Sequence, residues 1–395
     1  MPRPPGLLPY LLAQIVYGLL AMTICLPSMQ EWGEIFSTDA TRVQLTFSAF
    51  VLAYGCSQLL FGPLSDRYGR RPAVLIGLVI AVAGSALAAW APDVDSLILA
   101  RLVQGTGCGA TMVVGRSLVQ DHYSGTERTR VMAFIGMAMG VCPPVATVLG
   151  GQLHVWLGWQ ANPALVAILG AVLLVVALRM LPAGQRSAHA GDKLLAGMIR
   201  AYAALSRVRS YVLYVAMLGT TTGAFYTFLA GAPLVLGGFN IGPDGVGFFM
   251  MLPPLCYIAG NWLTSRLIRR TGDWRLMLRG QIITVVGVSL MVVLSGMHSA
   301  FAFALPAMIL GFGHGLLMPP TLSGTVGSVP ALAGAAAAAA GLMQQVMGAI
   351  GGYAVGWVST EGSLHISLLI ALFTTLGLLA QWGLARDRVN KARLP

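Results

Sequence analysis

The sequence predicts an all-α polytopic membrane protein with twelve membrane-spanning helices in two pseudo-symmetric six-helix bundles. Three observations carry that prediction. The 395 residues are 56% apolar and only 9% charged, with a mean hydropathy of +0.77, whereas a soluble globular chain carries about 25% charged residues. The apolar residues gather into runs of the roughly 20 residues needed to cross about 30 Å of hydrocarbon. The only long hydrophilic stretch, residues 183–210, falls near the middle of the chain.

Taken in order, the runs cover approximately residues 7–29, 43–64, 73–91, 95–119, 131–153 and 163–182, then 211–236, 245–267, 277–296, 300–320, 333–358 and 364–385. The first is longer than a signal-peptide core and has no small-x-small cleavage site, so it is expected to be retained as a span. This divides the chain into an N-terminal bundle (1–182), a central linker (183–210) and a C-terminal bundle (211–395). Alanines 335–340, followed by Gly341, Gly348, Gly351, Gly352 and Gly356, make the eleventh run unusually slim, which suits close helix packing.

The net charge of +11 comes from 22 arginines and two lysines scattered among short loops. No basic domain interleaved with aromatics is present, which argues against a nucleic-acid partner and leaves the charges as topology signals. Arg67, Arg70, Arg71, Arg128, Arg130, Arg186, Lys193, Arg269, Arg270, Arg275, Arg386 and Arg388 all fall on one side if alternate loops share a face. Arg42 and mostly acids, among them Glu31, Glu34, Asp39, Asp93, Asp95 and Asp244, fall on the other. The positive-inside rule then puts both termini in the cytoplasm, with an even number of spans. Trp32, Trp90, Trp156, Trp159, Trp357 and Trp382 sit near span ends, where interfacial anchors belong. The five cysteines lie inside apolar runs with no CxxC pair and no metal-ligand spacing, so they read as small core residues; neither a metal nor another cofactor is expected.

Residues 62–71, GPLSDRYGRR, form a charged, glycine-punctuated turn between two apolar runs. Gly62 and Gly69 permit close helix approach and a tight turn, and Asp66 can pair with Arg70 or cap a helix N-terminus. With Arg67 and Arg71 these residues make either a moving joint of an inner gate or a fixed, topology-setting charge cluster. A degenerate copy, LIRRTGDWR from Leu267, lies 203 residues later, with Gly272 matching Gly69 and Arg269 standing where Asp66 stands. Two six-span repeats argue for a transporter with its substrate site at mid-membrane between the halves.

GPLSDRYGRR matches the signature loop of the major facilitator superfamily, and the likeness extends further. Arg101-Leu102-Val103-Gln104-Gly105-Thr106-Gly107 resembles that superfamily's RxxQGxG pattern in span 4. The stretch from Gly136 through Pro143 and Pro144 to Gly150 and Gly151 is similar to the antiporter motif of drug exporters, with its Gly-Pro pair broken up. GRSLVQDHYSGTERTRVM from Gly115, and Phe228 to Pro233, resemble the Bcr/CflA drug-resistance branch, with Gln120 where that branch tends to carry arginine. The resemblance covers essentially the whole chain. It implies an exporter of drugs or related small amphipathic molecules working by alternating access, commonly in exchange for protons, with spans 1, 4, 7 and 10 lining its cavity. It also implies a monomer in a bacterial inner membrane, its partners being a small-molecule substrate, protons and the lipid bilayer. One departure stands out: the branch usually has an acid in span 1, within a sequence like DMYLPA, and this chain has Thr23 there.

Among individual residues, Arg101 and Arg116 lie about 60° apart on one face of span 4, together with Gly105, Cys108 and Met112. A charge inside a span needs a partner or a watery cavity. Arg101 therefore meets backbone carbonyls or favours an anionic substrate, while Arg116 either snorkels to the interface or lines the cavity. His314 lies about 21 Å from the outer end of span 10. It either carries the coupling proton that Thr23 cannot carry, or is a neutral packed histidine. Tyr17 in span 1 and Phe225 and Tyr226 in span 7 suit an aromatic cavity wall, while Thr220, Thr221 and Thr222 bond a ligand or only their own helix. Pro319 and Pro320 read as a hinge or a helix stop.

The leading reading is thus a proton-driven exporter, and the alternative is a proton-coupled or exchange carrier for a small organic anion. A sensor or scaffold has no sizeable soluble domain to support it. An enzyme is not indicated, since no HExxH, membrane aspartate pair or nucleophile–base constellation is present.

Overall fold

The computed structural model describes residues 6–181, 194–329, 332–358 and 362–392. The side chains of Asp66, residues 125–130, 132, 133, 136, 194–199, 333, 334 and 389–392 lie outside the described set. The described chain is built of helices joined by short turns. Twelve of the helices are long: α1 (Leu7–Thr23), α2 (Ala40–Tyr68), α3 (Arg70–Ala89), α4 (Val94–His122), α5 (Gly125–Leu157) and α6 (Ala161–Met180), then α7 (Arg209–Gly238), α8 (Pro243–Thr271), α9 (Asp273–Val293), α10 (Ala300–Gly327), α11 (Ala333–Val355) and α12 (Leu364–Ala392). Among the described residues, ten segments are long and apolar enough to cross a membrane. The other two long helices, α5 and α11, span 33 and 23 residues and include side chains outside the described set.

Element boundaries follow from local chemistry. The Asp39 carboxylate caps α2 by accepting the Arg42 N–H at 2.8 Å. Asp93 and Ser96 form a capping box at the start of α4, and the Ser96 hydrogen bonds hold the Asp93 carboxyl below the usual carboxylate range. Helix α1 stops at Thr23 because Pro27, four residues on, has no N–H for the Thr23 carbonyl. The chain continues as a 3-10 turn (Leu26–Ser28) and a short helix (Met29–Ile35).

Two expectations are corrected. Pro319 and Pro320 do not stop α10, which runs on to Gly327. Proline at 319 frees the Gly315 carbonyl from its helical donor, and Thr264 Oγ1 donates to that carbonyl at 3.2 Å, so the break is repaired from α8. Within the expected linker, residues 183–210, a helix forms over Leu194–Ser206, with buried Leu205 packed against Tyr211 and Ala336, while residues 182–193 lie outside the described set. Of the tryptophans, Trp90, Trp156, Trp357 and Trp382 are exposed, but Trp32 and Trp159 are buried, their rings edge-on at 5.7 Å. The cysteines divide similarly: Cys25, Cys108 and Cys142 are buried, Cys256 is half-buried and Cys56 is exposed.

The chain forms two compact units, one of Met1–Asp192 with Gly242–Met251 and the other of Lys193–Ile241 with Leu252–Pro395. The same clamp is built in each. Along α4, Gly105 and Gly109 lie against the Phe50 and Tyr54 carbonyls of α2, while Gly107 lies against the Gly77 carbonyl and Ala81 of α3. Along α10, Gly311 and Gly315 lie against the Pro253 and Tyr257 carbonyls of α8, and Gly313 against Gly280 and Thr284 of α9. A Cβ at any of the six would collide with backbone, so glycine is what lets these helices touch. In α11 the expected slimness is used similarly: Gly348 and Gly351 seat against Tyr226 and the Gly223 carbonyl of α7.

Candidate functional site

At the α2–α3 turn, Gly69 adopts φ 98°, a conformation closed to most L-residues, and its N–H donates to the Ser65 carbonyl. Arg70 leaves the turn along two bonds. Its Nε donates to Asp121 Oδ2 of α4 at 2.8 Å, and its Nη1 donates to Ser65 Oγ at 2.7 Å. Ser65 in turn donates to the Gly62 carbonyl at 2.7 Å. Arg71 Nη2 donates to the Leu178 carbonyl near the end of α6 at 2.8 Å, and the Arg67 guanidinium lies over the exposed Tyr68 ring. Four helices are thereby tied at one turn. The Asp66 side chain is outside the described set.

Arg101 is 2% exposed. Its Nη1 donates to the Ala21 carbonyl at 2.8 Å and to Gln104 Oε1 at 2.6 Å, its Nη2 reaches the Met22 carbonyl at 3.5 Å, and its guanidinium lies 4.3 Å from the Phe50 ring centroid. The carbonyls of Ala21 and Met22 sit in the last turn of α1, where an α-helix has no internal donors left. The guanidinium thus acts as a C-terminal cap from a neighbouring helix, favoured further by the negative end of the helix dipole. Gln104 Nε2 continues the chain to Ser85 Oγ at 2.8 Å, and Ser85 donates to the Ala81 carbonyl at 2.7 Å. A buried polar path therefore joins α1, α4 and α3.

The other sequence-selected residues are dispersed among the helices. Tyr17 is buried and donates to the Val166 carbonyl of α6 at 3.2 Å. Thr23 is fully buried, its hydroxyl donating to the Leu19 carbonyl one turn back. Met112 is buried, whereas Arg116 is exposed and reaches Met139 Sδ at 3.9 Å. The hydroxyls of Thr220, Thr221 and Thr222 all donate to carbonyls of α7 itself; Thr222 Oγ1 also accepts from Gln344 Nε2 at 3.1 Å. Tyr226 donates to Gln345 Oε1 at 3.3 Å, and Phe225, half-buried, tilts against it. His314 is 3% exposed, between two clamp glycines, and has no hydrogen-bond partner among the described residues. In α5, Pro144 stays within the helix, its carbonyl accepting from Thr147 Oγ1 at 3.0 Å. Gly150 lies against the Ile24 carbonyl of the α1 extension, and Gly151 against the Pro243 carbonyl of α8.

Two features are absent from the sequence reading, one without a sequence signal and one with it. His154 Nε2 and Glu31 Oε2 lie 2.9 Å apart, joining the far end of α5 to the short helix after α1, and His154 Nδ1 is buried without a partner. Periodicity carries no sign of such a pair, because 123 residues separate the two. The glycine clamp was legible: Gly-x-Gly-x-Gly recurs in α4 and α10 at a constant offset of 206 residues.

Comparison with known proteins places this architecture. The family model described as Major Facilitator Superfamily matches residues 10–352. The chain is 27% identical to multidrug resistance protein D of Escherichia coli, over 95% of this chain and 94% of that protein. It is 26% identical to a chloramphenicol resistance protein of Pseudomonas aeruginosa, over 89% and 81%. A crystal structure of a D-xylose-proton symporter covers 95% of both chains with a TM-score of 0.74 at 15% identity, a likeness of fold.

Proposed function

Because the chain belongs to the Major Facilitator Superfamily, we propose that this transporter exports drugs or related small amphipathic molecules by alternating access, in exchange for protons, from the inner membrane of a bacterium. Its family and its drug-resistance relatives make it a multi-pass transport protein, not an enzyme, and agree with the Bcr/CflA resemblance. The observation that carries the drug reading is the match with a multidrug resistance protein over 95% of this chain and 94% of that protein. The turn at 62–71 is the gating element in this reading. Its bonds from Arg70 and Arg71 hold α3 to α4 and α6, and a gate needs contacts that can be made and broken. Asp66→Asn is expected to abolish transport while leaving membrane insertion intact.

The organic-anion alternative rests on an unpaired Arg101 and on the missing acid at Thr23. Two of the three Arg101 guanidinium nitrogens are committed to Ala21, Met22 and Gln104, which favours the drug reading. For coupling, the Thr23 hydroxyl is satisfied by its own helix, and His314 is a buried histidine that meets no protein donor or acceptor among the described residues. The decisive experiment is reconstituted transport under an imposed pH gradient, with wild type and His314→Gln, beside resistance profiling in a pump-deficient host with and without an uncoupler. Uncoupler-sensitive resistance is expected. Unchanged pH-driven flux in His314→Gln would remove that residue from coupling, and the absence of any drug phenotype would return the anion carrier to the front.

A further inference from the structure

The second unit carries a face whose chemistry the transport reading does not use. Helices α9 and α12 pack side by side and antiparallel: Gln281 Nε2 of α9 donates to the Thr374 carbonyl of α12 at 3.4 Å, and Arg388 lies 4.9 Å from the Trp274 ring centroid at one shared end. Each helix presents an exposed apolar stripe. On α9 it is Leu278, Ile282 and Val286, and on α12 it is Leu368, Leu372 and Leu379. The spacings, four and four residues on α9 and four and seven on α12, keep each set on one helix face. Both stripes end in arginine at the same end of the unit. Arg275 and Arg279 close the α9 stripe, exposed and without a hydrogen-bond or ion-pair partner among the described residues. Arg386 closes the α12 stripe, stacked 3.5 Å from the centroid of Trp382, itself 55% exposed.

Counter-charge from the protein is scarce there. Asp387 is engaged by Arg209 at 3.3 Å, which leaves Asp273, at the start of α9, as the other acid at this end of the two helices among the described residues. Guanidinium is a planar donor set matched to phosphate oxygens, and a tryptophan face holds it in place without satisfying its N–H groups. Basic residues at the end of a lipid-facing helix pair attract anionic headgroups, at about 1 kcal/mol for each arginine near the surface. The apolar stripes below them are the surface an acyl chain would cover.

We infer that the α9–α12 face is a binding site for an anionic phospholipid, with its phosphate held by Arg275, Arg279 and Arg386 and its acyl chains along the two apolar stripes. The site rests on the second unit alone and stands whether or not the drug-export reading does.

The test is native mass spectrometry of the full chain released from bilayers of mixed phosphatidylglycerol and phosphatidylcholine. Wild type is expected to retain phosphatidylglycerol preferentially. The triple variant R275Q/R279Q/R386Q should lose about tenfold or more of that preference, as removal of three surface cations predicts. Arg266→Gln, which removes an arginine stacked on Trp262 of α8 outside this face, should keep it. Equal melting temperatures in pure phosphatidylcholine would show that the triple variant is folded; if it does not fold, each single variant is scored for the same preference. An unchanged preference in the folded variants would overturn the site. Added millimolar inorganic phosphate should not displace the lipid; displacement would mean a headgroup-only ion site and would overturn the role of the stripes.

Discussion

The turn at Gly69 and its copy at Gly272 have nearly the same backbone and opposite chemistry. Both glycines sit at positive φ, 98° and 75°, with ψ 155° and 158°, and each donates its N–H to the residue four back. In the first unit the chain leaving the turn is pinned by hydrogen bonds, Arg70 to Asp121 and Arg71 to the Leu178 carbonyl. In the second unit Trp274 stands at the position of Arg71 and is met by Arg388 from α12, a cation over a ring. The same junction, third helix of a unit to sixth, is therefore made once by directed hydrogen bonds and once by a non-directional stack. Directed bonds are two-state: they are made or lost within a few tenths of an ångström. A stack slides. That difference favours the first turn as the switching one and the second as a bearing.

The comparison can be broken or sharpened in order of expected effect. The clamps beneath the turns come first, because there the units are alike. Gly107→Val and Gly313→Val should each abolish recovery of folded, monodisperse protein, since each side chain would enter backbone of the neighbouring helix. If one is tolerated, the clamps are not equivalent. Next is Arg101→Leu, which has no counterpart in the second unit. It leaves the Ala21 and Met22 carbonyls without their donor, at about 1–3 kcal/mol for each unsatisfied group. Thermal melting should fall accordingly, and Arg101→Lys should not restore it, because one ammonium cannot span two carbonyls and Gln104.

At the turn itself, Asp121→Asn should lower flux severalfold or more while changing stability by less than about 1 kcal/mol, as expected for a partly exposed ion pair. Flux at the wild-type level would make the first turn a static anchor like the second. The smallest effect is expected at Trp274→Leu, which loses a cation–π contact of about 0.5–1 kcal/mol and should leave flux unchanged. A large flux defect there would make both turns switches.

The helices, their number and the paired turns were legible because hydrophobic run length and glycine–charge punctuation are local properties. The copy of GPLSDRYGRR at Leu267 could be aligned by eye, and both copies place glycine at positive φ. What the residues do once placed was less legible. Arg101 and Thr23 were both singled out from sequence, but that one caps the end of α1 while the other bonds its own helix depends on where α1 ends relative to α4. The Glu31–His154 pair and the repair of the Pro319 break by Thr264 link distant positions, and no periodicity records such links.

The sequence by itself determined that this chain crosses the membrane many times, that it does so in two related halves, and that its basic residues gather mostly in alternate turns. Those follow from the cost of burying charge in hydrocarbon and from the length of a span. Only the tertiary structure decided which arginines are bound and which are free. Arg70, Arg71 and Arg101 find carboxylate, hydroxyl or carbonyl partners on neighbouring helices, while Arg275 and Arg279 lie on an outer face. The reason is physical: a guanidinium's partner is set by which helix ends and acceptors packing brings within about 3 Å, a relation in space that one-dimensional order does not encode.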